Sequence, residues 1–160
     1  LMSKIKGVTF KKIKNRLRIF LALKVFLNTW IYFFLYKSYW HYLLSPKKNL
    51  KKFKKNYFST DVNFGARIGH QFANYNSALF YAKKFNLIHV HTPFPDKKWE
   101  KVLDINSNSV SSKTLLKKGY KRIQLPRFKE KNKFEISKVK KIIQSYSEQK
   151  VVFFLEISRN

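Results

Sequence analysis

Gly65-Ala66-Arg67-Ile68-Gly69-His70-Gln71-Phe72-Ala73-Asn74-Tyr75-Asn76-Ser77-Ala78-Leu79-Phe80-Tyr81-Ala82-Lys83-Lys84-Phe85, followed by Asn86-Leu87-Ile88-His89-Val90-His91-Thr92-Pro93-Phe94, is the stretch on which the fold turns. Two of the chain's four glycines stand four apart at its start. They suit a tight strand-to-helix turn, because a residue without Cβ reaches positive φ or lets another backbone approach. Helical spacing then sets in: Phe72, Tyr75, Leu79 and Ala82 share one face, with Ala78 and Phe85 beside them. The small Ala73, Ala78 and Ala82 let such a helix sit close to a sheet. Leu87 to His91 reads as a short strand, with Ile88 and Val90 on one side, His89 and His91 on the other, and Pro93 and Pro95 ending it.

Arg67, His70, Gln71 and Asn74 gather at the amino end of that helix. Free N–H groups and the positive end of the helix dipole favour an anionic or hydroxyl-rich ligand there. The same residues also suit an ordinary glycine turn with polar groups facing water, and an isolated glycine pair does not separate the two.

Downstream, Asp96 can cap a short helix carrying Trp99 and Leu103. Asn106 to Ser112 reads as a polar loop, Lys113–Lys118 as a short helix, and Tyr120–Leu125, after Gly119, as an alternating strand closed by Pro126. Residues 127–134 read as a charged loop. Ser137–Tyr146 is an amphipathic helix with Val139, Ile142, Ile143 and Tyr146 on one face. Val151-Val152-Phe153-Phe154-Leu155 is a continuous apolar run, as expected of a strand covered on both faces. The order β-α-β-α-β-α-β predicts an α/β fold with a mainly parallel sheet and helices packed on it.

Upstream the composition changes. The chain of 160 residues holds 35 Lys and Arg against 8 Asp and Glu, a net charge of +27. The first acid is Asp61, so the first 60 residues carry +15 and the other 100 carry +12. The break near residue 57 divides the chain into a basic, aromatic-rich, membrane-associating helical segment with its linker, 1–56, and an α/β domain, 57–160. Leu17 to Tyr36 contains only Arg18 and Lys24 as charges, and Trp30, Tyr32, Phe33, Phe34, Tyr36, Tyr39, Trp40 and Tyr42 follow closely. Both flanks are basic. Three readings stay open: an interfacial helix with aromatic rings at headgroup level, a spanning helix, and a buried helix of a soluble domain. Residues 1–56 are expected to project from the α/β domain.

Several chemistries are set aside. With no cysteine there is no disulfide framework and no thiolate site. The His89-x-His91 pair has neither a carboxylate nor a third imidazole at ligand spacing, so no metal is assigned. The lysine-rich 46–55 link lacks any base-reading motif, so specific nucleic-acid binding is not expected. Lysine is abundant throughout, which weakens charge as evidence for a nucleic-acid partner.

The run Gly65-x-Arg67-Ile68-Gly69-His70-Gln71-Phe72-x-Asn74-Tyr75-x-x-Ala78-Leu79-x-x-Ala82 resembles the amino-terminal motif of bacterial α-1,2-fucosyltransferase-like glycosyltransferases of cell-surface polysaccharide or lipopolysaccharide synthesis. His91-Thr92-Pro93-Phe94 and Lys98-Trp99-Glu100-x-x-Leu103 extend the resemblance, which covers residues 60–156. It implies a Rossmann-like sheet, the amino-terminal half of a two-domain fold. The partners it implies are a sugar nucleotide as donor substrate, a glycan or lipid-linked acceptor and an anionic membrane surface, with no further cofactor. Localisation at the cytoplasmic face of a bacterial inner membrane would follow.

The resemblance implies substrate-binding roles for Gly65, Arg67, Gly69, His70, Gln71 and Asn74. His70 and Asp96 are the candidate general bases. His70 stands where the family has asparagine, and the later His-x-Arg-x-Gly-Asp type motif is absent. These departures, with the last strand so near Asn160, lead to the expectation of a truncated chain that is inactive alone. The alternatives are a non-catalytic membrane-associated basic protein and a nucleic-acid-binding module.

Overall fold

A computed structural model of the protein describes residues 30–45, 56–61, 67–105, 110–128 and 132–155. A 3-10 helix, Trp30–Leu35, leads into α1 (Lys37–Leu44). Strand β1 (Tyr57–Thr60) is followed by α2 (Ile68–Lys84) and β2 (Ile88–His89). Two short helices, α3 (Lys98–Val102) and α4 (Ser112–Lys117), precede β3 (Lys121–Leu125), and α5 (Lys133–Ser145) leads to β4 (Val151–Leu155). The four strands form one sheet in the order β2-β1-β4-β3, and every pair is parallel. This is the α/β arrangement that the alternation predicts.

The chain leaves β1 for one edge, crosses to the other edge, and returns to insert β4 at the centre. Phe58 lies opposite Phe153 and Thr60 opposite Leu155. All five residues of β4 are buried. A strand with neighbours on both sides and helices above and below has no solvent face, which is why its sequence does not alternate.

Successive strand side chains point to opposite faces and so feed two cores. The larger holds Phe58, Leu125, Val151, Phe153 and Leu155 with Ala78, Ala82 and Phe85 from α2 and its end, and Val139, Ile142, Ile143 and Tyr146 from α5 and its end. The smaller holds Val152 and Phe154 with Val90 and Leu115. Buried Asn56 ties the larger layer together: its amide N–H donates to the Tyr146 carbonyl at 3.2 Å and its Oδ1 accepts from Val151 N–H at 3.4 Å.

The helix ends follow local chemistry. Asn132 Oδ1 accepts from the N–H groups of Phe134 and Glu135, so α5 starts at Lys133, four residues before the expected Ser137. Helix α2 ends where Asn86 takes φ 54°, with Leu87 N–H on the Ala82 carbonyl at 2.8 Å and Asn86 N–H on that of Lys83 at 3.1 Å. That six-to-one and five-to-two pair satisfies carbonyls the helix leaves free. Gly119, at φ 86°, ends α4 with the same bond pair. A Cβ at Gly119 would meet no neighbour, so the backbone conformation alone favours glycine there.

Two expectations are corrected. Phe72 and Leu79 are 40% and 42% exposed, while Gln71, Ala78 and Ala82 are buried. Ala78 and Ala82 face β1 because their small side chains let the helix lie close to it, whereas Ala73, expected with them, is exposed, and the larger apolar residues Phe72 and Leu79 turn outward. Gly69 lies inside the first turn of α2 rather than in the loop before it.

Residues 30–44 do not project. Tyr32, Phe33, Tyr36 and Tyr39 are buried in the same core as β4 and α5. Ser38 Oγ donates to the Gln124 carbonyl at 2.7 Å, and Lys138 Nζ donates to Tyr39 Oη at 3.1 Å. His41 stacks on Tyr146 with ring centroids 3.9 Å apart. The aromatic run thus finds apolar cover within its own chain. Among the described residues no helix is long and apolar enough to cross a membrane. The rest of the expected 1–56 segment, residues 1–29 and 46–55, lies outside the described residues.

Candidate functional site

Parallel α/β sheets place their loops, and with them their ligands, beyond the carboxyl ends of the strands. At the carboxyl ends of β1 and β2 lies a cleft of about 270 Å³, counting its open mouth. Ser59, Thr60 and Asp61 come from β1 and its end. Gln71, Asn74 and Tyr75 come from the first turns of α2. His89, His91, Thr92 and Phe94 come from β2 and the chain after it. Nearly all of these carry a hydrogen-bonding side chain.

The cleft's polar groups are organised by three links. Ser59 Oγ and Thr92 Oγ1 are 2.6 Å apart, and Thr92 Oγ1 lies 3.0 Å from Ser112 Oγ, which makes a chain of three hydroxyls. His91, 3% exposed, sets its Nε2 2.8 Å from Glu100 Oε1. That oxygen also accepts from the Phe94 N–H at 2.6 Å. With Glu100 ionised, Nε2 carries the proton and Nδ1 is left as the acceptor nitrogen. At the third link, Arg122 pairs with the Asp61 carboxylate and lays its guanidinium over the Phe154 ring, 3.9 Å from the centroid.

Aromatic rings fix the histidines. Tyr75 meets His89 edge-on at 5.0 Å and His91 at 5.6 Å, and Phe94 meets His91 at 5.0 Å. Burial, reinforced by the neighbouring His91, pushes the His89 imidazole down to about 4. His89 is therefore neutral at pH 7 and offers a lone pair rather than a charge.

The expected residues divide. Gln71, 6% exposed, and Asn74 line the cleft. Arg67, Gly69 and His70 are exposed at the start of α2 and are not among the lining residues. Asp96 is also exposed, accepts from the Lys98 N–H at 3.1 Å and pairs with the Lys98 ammonium at 3.4 Å. Gly65 lies outside the described residues. The structure therefore brings neither His70 nor Asp96 to the cleft, and it brings His89, His91, Asp61 and the hydroxyl chain there instead. The His91–Glu100 pair escaped sequence reasoning because nine residues and a change of element separate its members. The outward alternation of His89 and His91 was the available signal. Among the described residues no group of three or more His, Asp or Glu is placed to hold a metal ion.

The chain matches no protein-family model, no curated protein and no solved structure.

Proposed function

We propose that this chain is a glycosyltransferase-like protein of cell-surface polysaccharide or lipopolysaccharide synthesis, and that its cleft receives the hydroxyl edge of a sugar. The observation that carries the reading is the cleft lining: carboxamides from Gln71 and Asn74, neutral imidazole from His89, and the Ser59–Thr92 hydroxyls, all at the carboxyl end of a parallel sheet. Such groups both donate and accept, which suits a vicinal diol better than an apolar or purely anionic ligand. The sequence resemblance adds support, because Gln71, Asn74 and Tyr75 of the resembled motif, and His91, Thr92 and Phe94 of its extension, line the cleft. A Rossmann-like half of a two-domain fold is the finer architecture that this reading entails.

In the transfer step an acceptor hydroxyl attacks the anomeric carbon of a sugar nucleotide. The new C–O bond forms as the bond to the nucleoside diphosphate breaks, and the hydroxyl proton passes to a base. His91, oriented by Glu100, and neutral His89 take that role more readily than His70 or Asp96, because they face the cleft. Arg67, exposed before the first turn of α2, is left to balance diphosphate charge.

Ligand-observed NMR tests the reading directly on the full chain, with guanosine- and uridine-diphosphate sugars and free monosaccharides as probes. We expect millimolar or tighter binding, weakened at least about tenfold by Gln71→Ala and by Asn74→Ala, each removing hydrogen bonds to the sugar. Failure of every probe to bind, or binding unchanged in both variants, would overturn the assignment of the cleft.

A further inference from the structure

The burial pattern of α1 leaves one corner bare. Tyr36, Ser38 and Tyr39 are buried, while Trp40, Leu43 and Leu44 are 46%, 45% and 80% exposed. The Trp40 ring is held rather than free: its indole N–H donates to the Phe34 carbonyl at 2.8 Å, and the ring packs edge-on to Phe34 at 5.1 Å. A fixed indole beside two leucines thus faces solvent at the carboxyl end of a short helix.

Lysines lie near it. Exposed Lys37 lies three and seven residues before Trp40 and Leu44, on the same helical stripe. On α5, Lys138 bonds Tyr39 and Ser145 bonds His41, so Lys141, between them at helical spacing, lies along the same seam. The chain carries no acid before Asp61.

We infer that Trp40, Leu43 and Leu44 form a shallow membrane-docking tip, which inserts at the headgroup level of an anionic bilayer while Lys37 and Lys141 meet the lipid charge. Two signals, apolar insertion and a basic surround, are what reversible membrane anchoring requires. Trp is the residue type favoured at that depth. A protein partner fits less well, because stable protein interfaces engage about 20–30 residues on each side, and three exposed apolar side chains fall far short. The tip differs from a whole helix lying in the bilayer: Tyr32, Phe33, Tyr36 and Tyr39 are already used by the core. It stands independently of what the cleft binds.

The test uses the full chain carrying Trp30→Phe and Trp99→Phe, so that Trp40 is the single tryptophan reporter. The probes are vesicles of phosphatidylcholine, with and without phosphatidylglycerol, and a matching set with brominated acyl chains. We expect co-sedimentation with the phosphatidylglycerol vesicles, a blue shift of Trp40 emission and quenching by the brominated lipid. Leu43→Asp together with Leu44→Asp should lower the partition coefficient at least about tenfold, since two apolar side chains are withdrawn from the interface. Both residues are exposed, so circular dichroism should stay unchanged. Equal partition of the double variant would overturn the inference. So would sedimentation without Trp40 quenching, which would place the contact elsewhere on the chain, or a Trp40 response to an oligonucleotide but not to vesicles.

Discussion

Strands β1 and β4 lie side by side in parallel register with similar burial, yet their chemistry diverges along their length. Phe58 and Phe153 sit opposite each other, both at 0% exposure. Two positions on, β4 continues with Leu155, whereas β1 has Ser59, Thr60 and then Asp61. An apolar strand end adds burial, while a buried hydroxyl adds nothing unless it finds a partner, and left unpaired it costs about 1–3 kcal/mol. The hydroxyl chain Ser59–Thr92–Ser112 supplies those partners. The difference separates two tasks: β4 and the amino half of β1 hold the fold, and the carboxyl end of β1 builds a polar cleft at some expense to stability.

The sharpest way to break that division is to truncate its apolar side. Phe153→Ala removes a fully buried ring from between Phe58 and Tyr146. Urea unfolding should show a loss of about 3–5 kcal/mol, the usual range for a buried Phe cut to Ala. A loss below about 1 kcal/mol would mean that β4 is not the organising strand.

How much of this was legible follows the same line. Val151–Leu155 reads correctly because a five-residue apolar run has one sensible place, the middle of a sheet. Val139, Ile142, Ile143 and Tyr146 read correctly because α5 is amphipathic, and all four are buried. Helix α2 misleads: hydrophobicity favours Phe72 and Leu79 for the core, but close packing on β1 selects Ala78 and Ala82. The aromatic run at 30–44 misleads in another way, because its composition suits lipid as well as protein and only tertiary contacts decide which face is used.

In the cleft, Gln71 and Asn74 were legible from local spacing. Ser59, Ser112 and the links that join Thr92 to them and His91 to Glu100 were not, since residues this far apart in sequence carry no pairing pattern until topology gathers them.

The second prediction concerns His89 and acid. Its folded-state imidazole titrates near 4, below the ordinary value of 6.5, because of burial and then His91. The unfolded chain therefore binds more protons between those values. The stability that His89 contributes is full above pH 6.5 and is lost as pH falls toward 4. Since His89 is only partly buried, solvent screening limits the loss to roughly 1–2 kcal/mol. His41, also held below its ordinary value by burial and then by Lys121, acts in the same direction, so the comparison must be a difference. Unfolding of His89→Gln set against wild type from pH 7 to pH 4 isolates the slope. The variant should lose less stability over that range, and parallel curves would show that His89 is solvated and not part of a closed cleft wall.

The smallest effect should come from the polar side of the comparison. Ser59→Ala deletes one member of the hydroxyl chain, but Thr92 keeps Ser112 at 3.0 Å. The Thr92 hydroxyl is therefore not orphaned, and the alanine methyl fits where the Ser59 Cβ already lies. Stability should fall by only about 0.5–1 kcal/mol. Thr92→Val removes the central hydroxyl, strands both Ser59 and Ser112, and should cost more. In the double variant the two losses should not add: once Thr92 is gone, Ser59→Ala removes an unpaired group and should be near neutral or stabilising. A coupling energy of about 0.5–1 kcal/mol in that cycle is the expected reading. Additive losses would mean that Ser59 and Thr92 each bond to water instead, and the contrast between the two strands would then reflect solvent access rather than a built polar cleft.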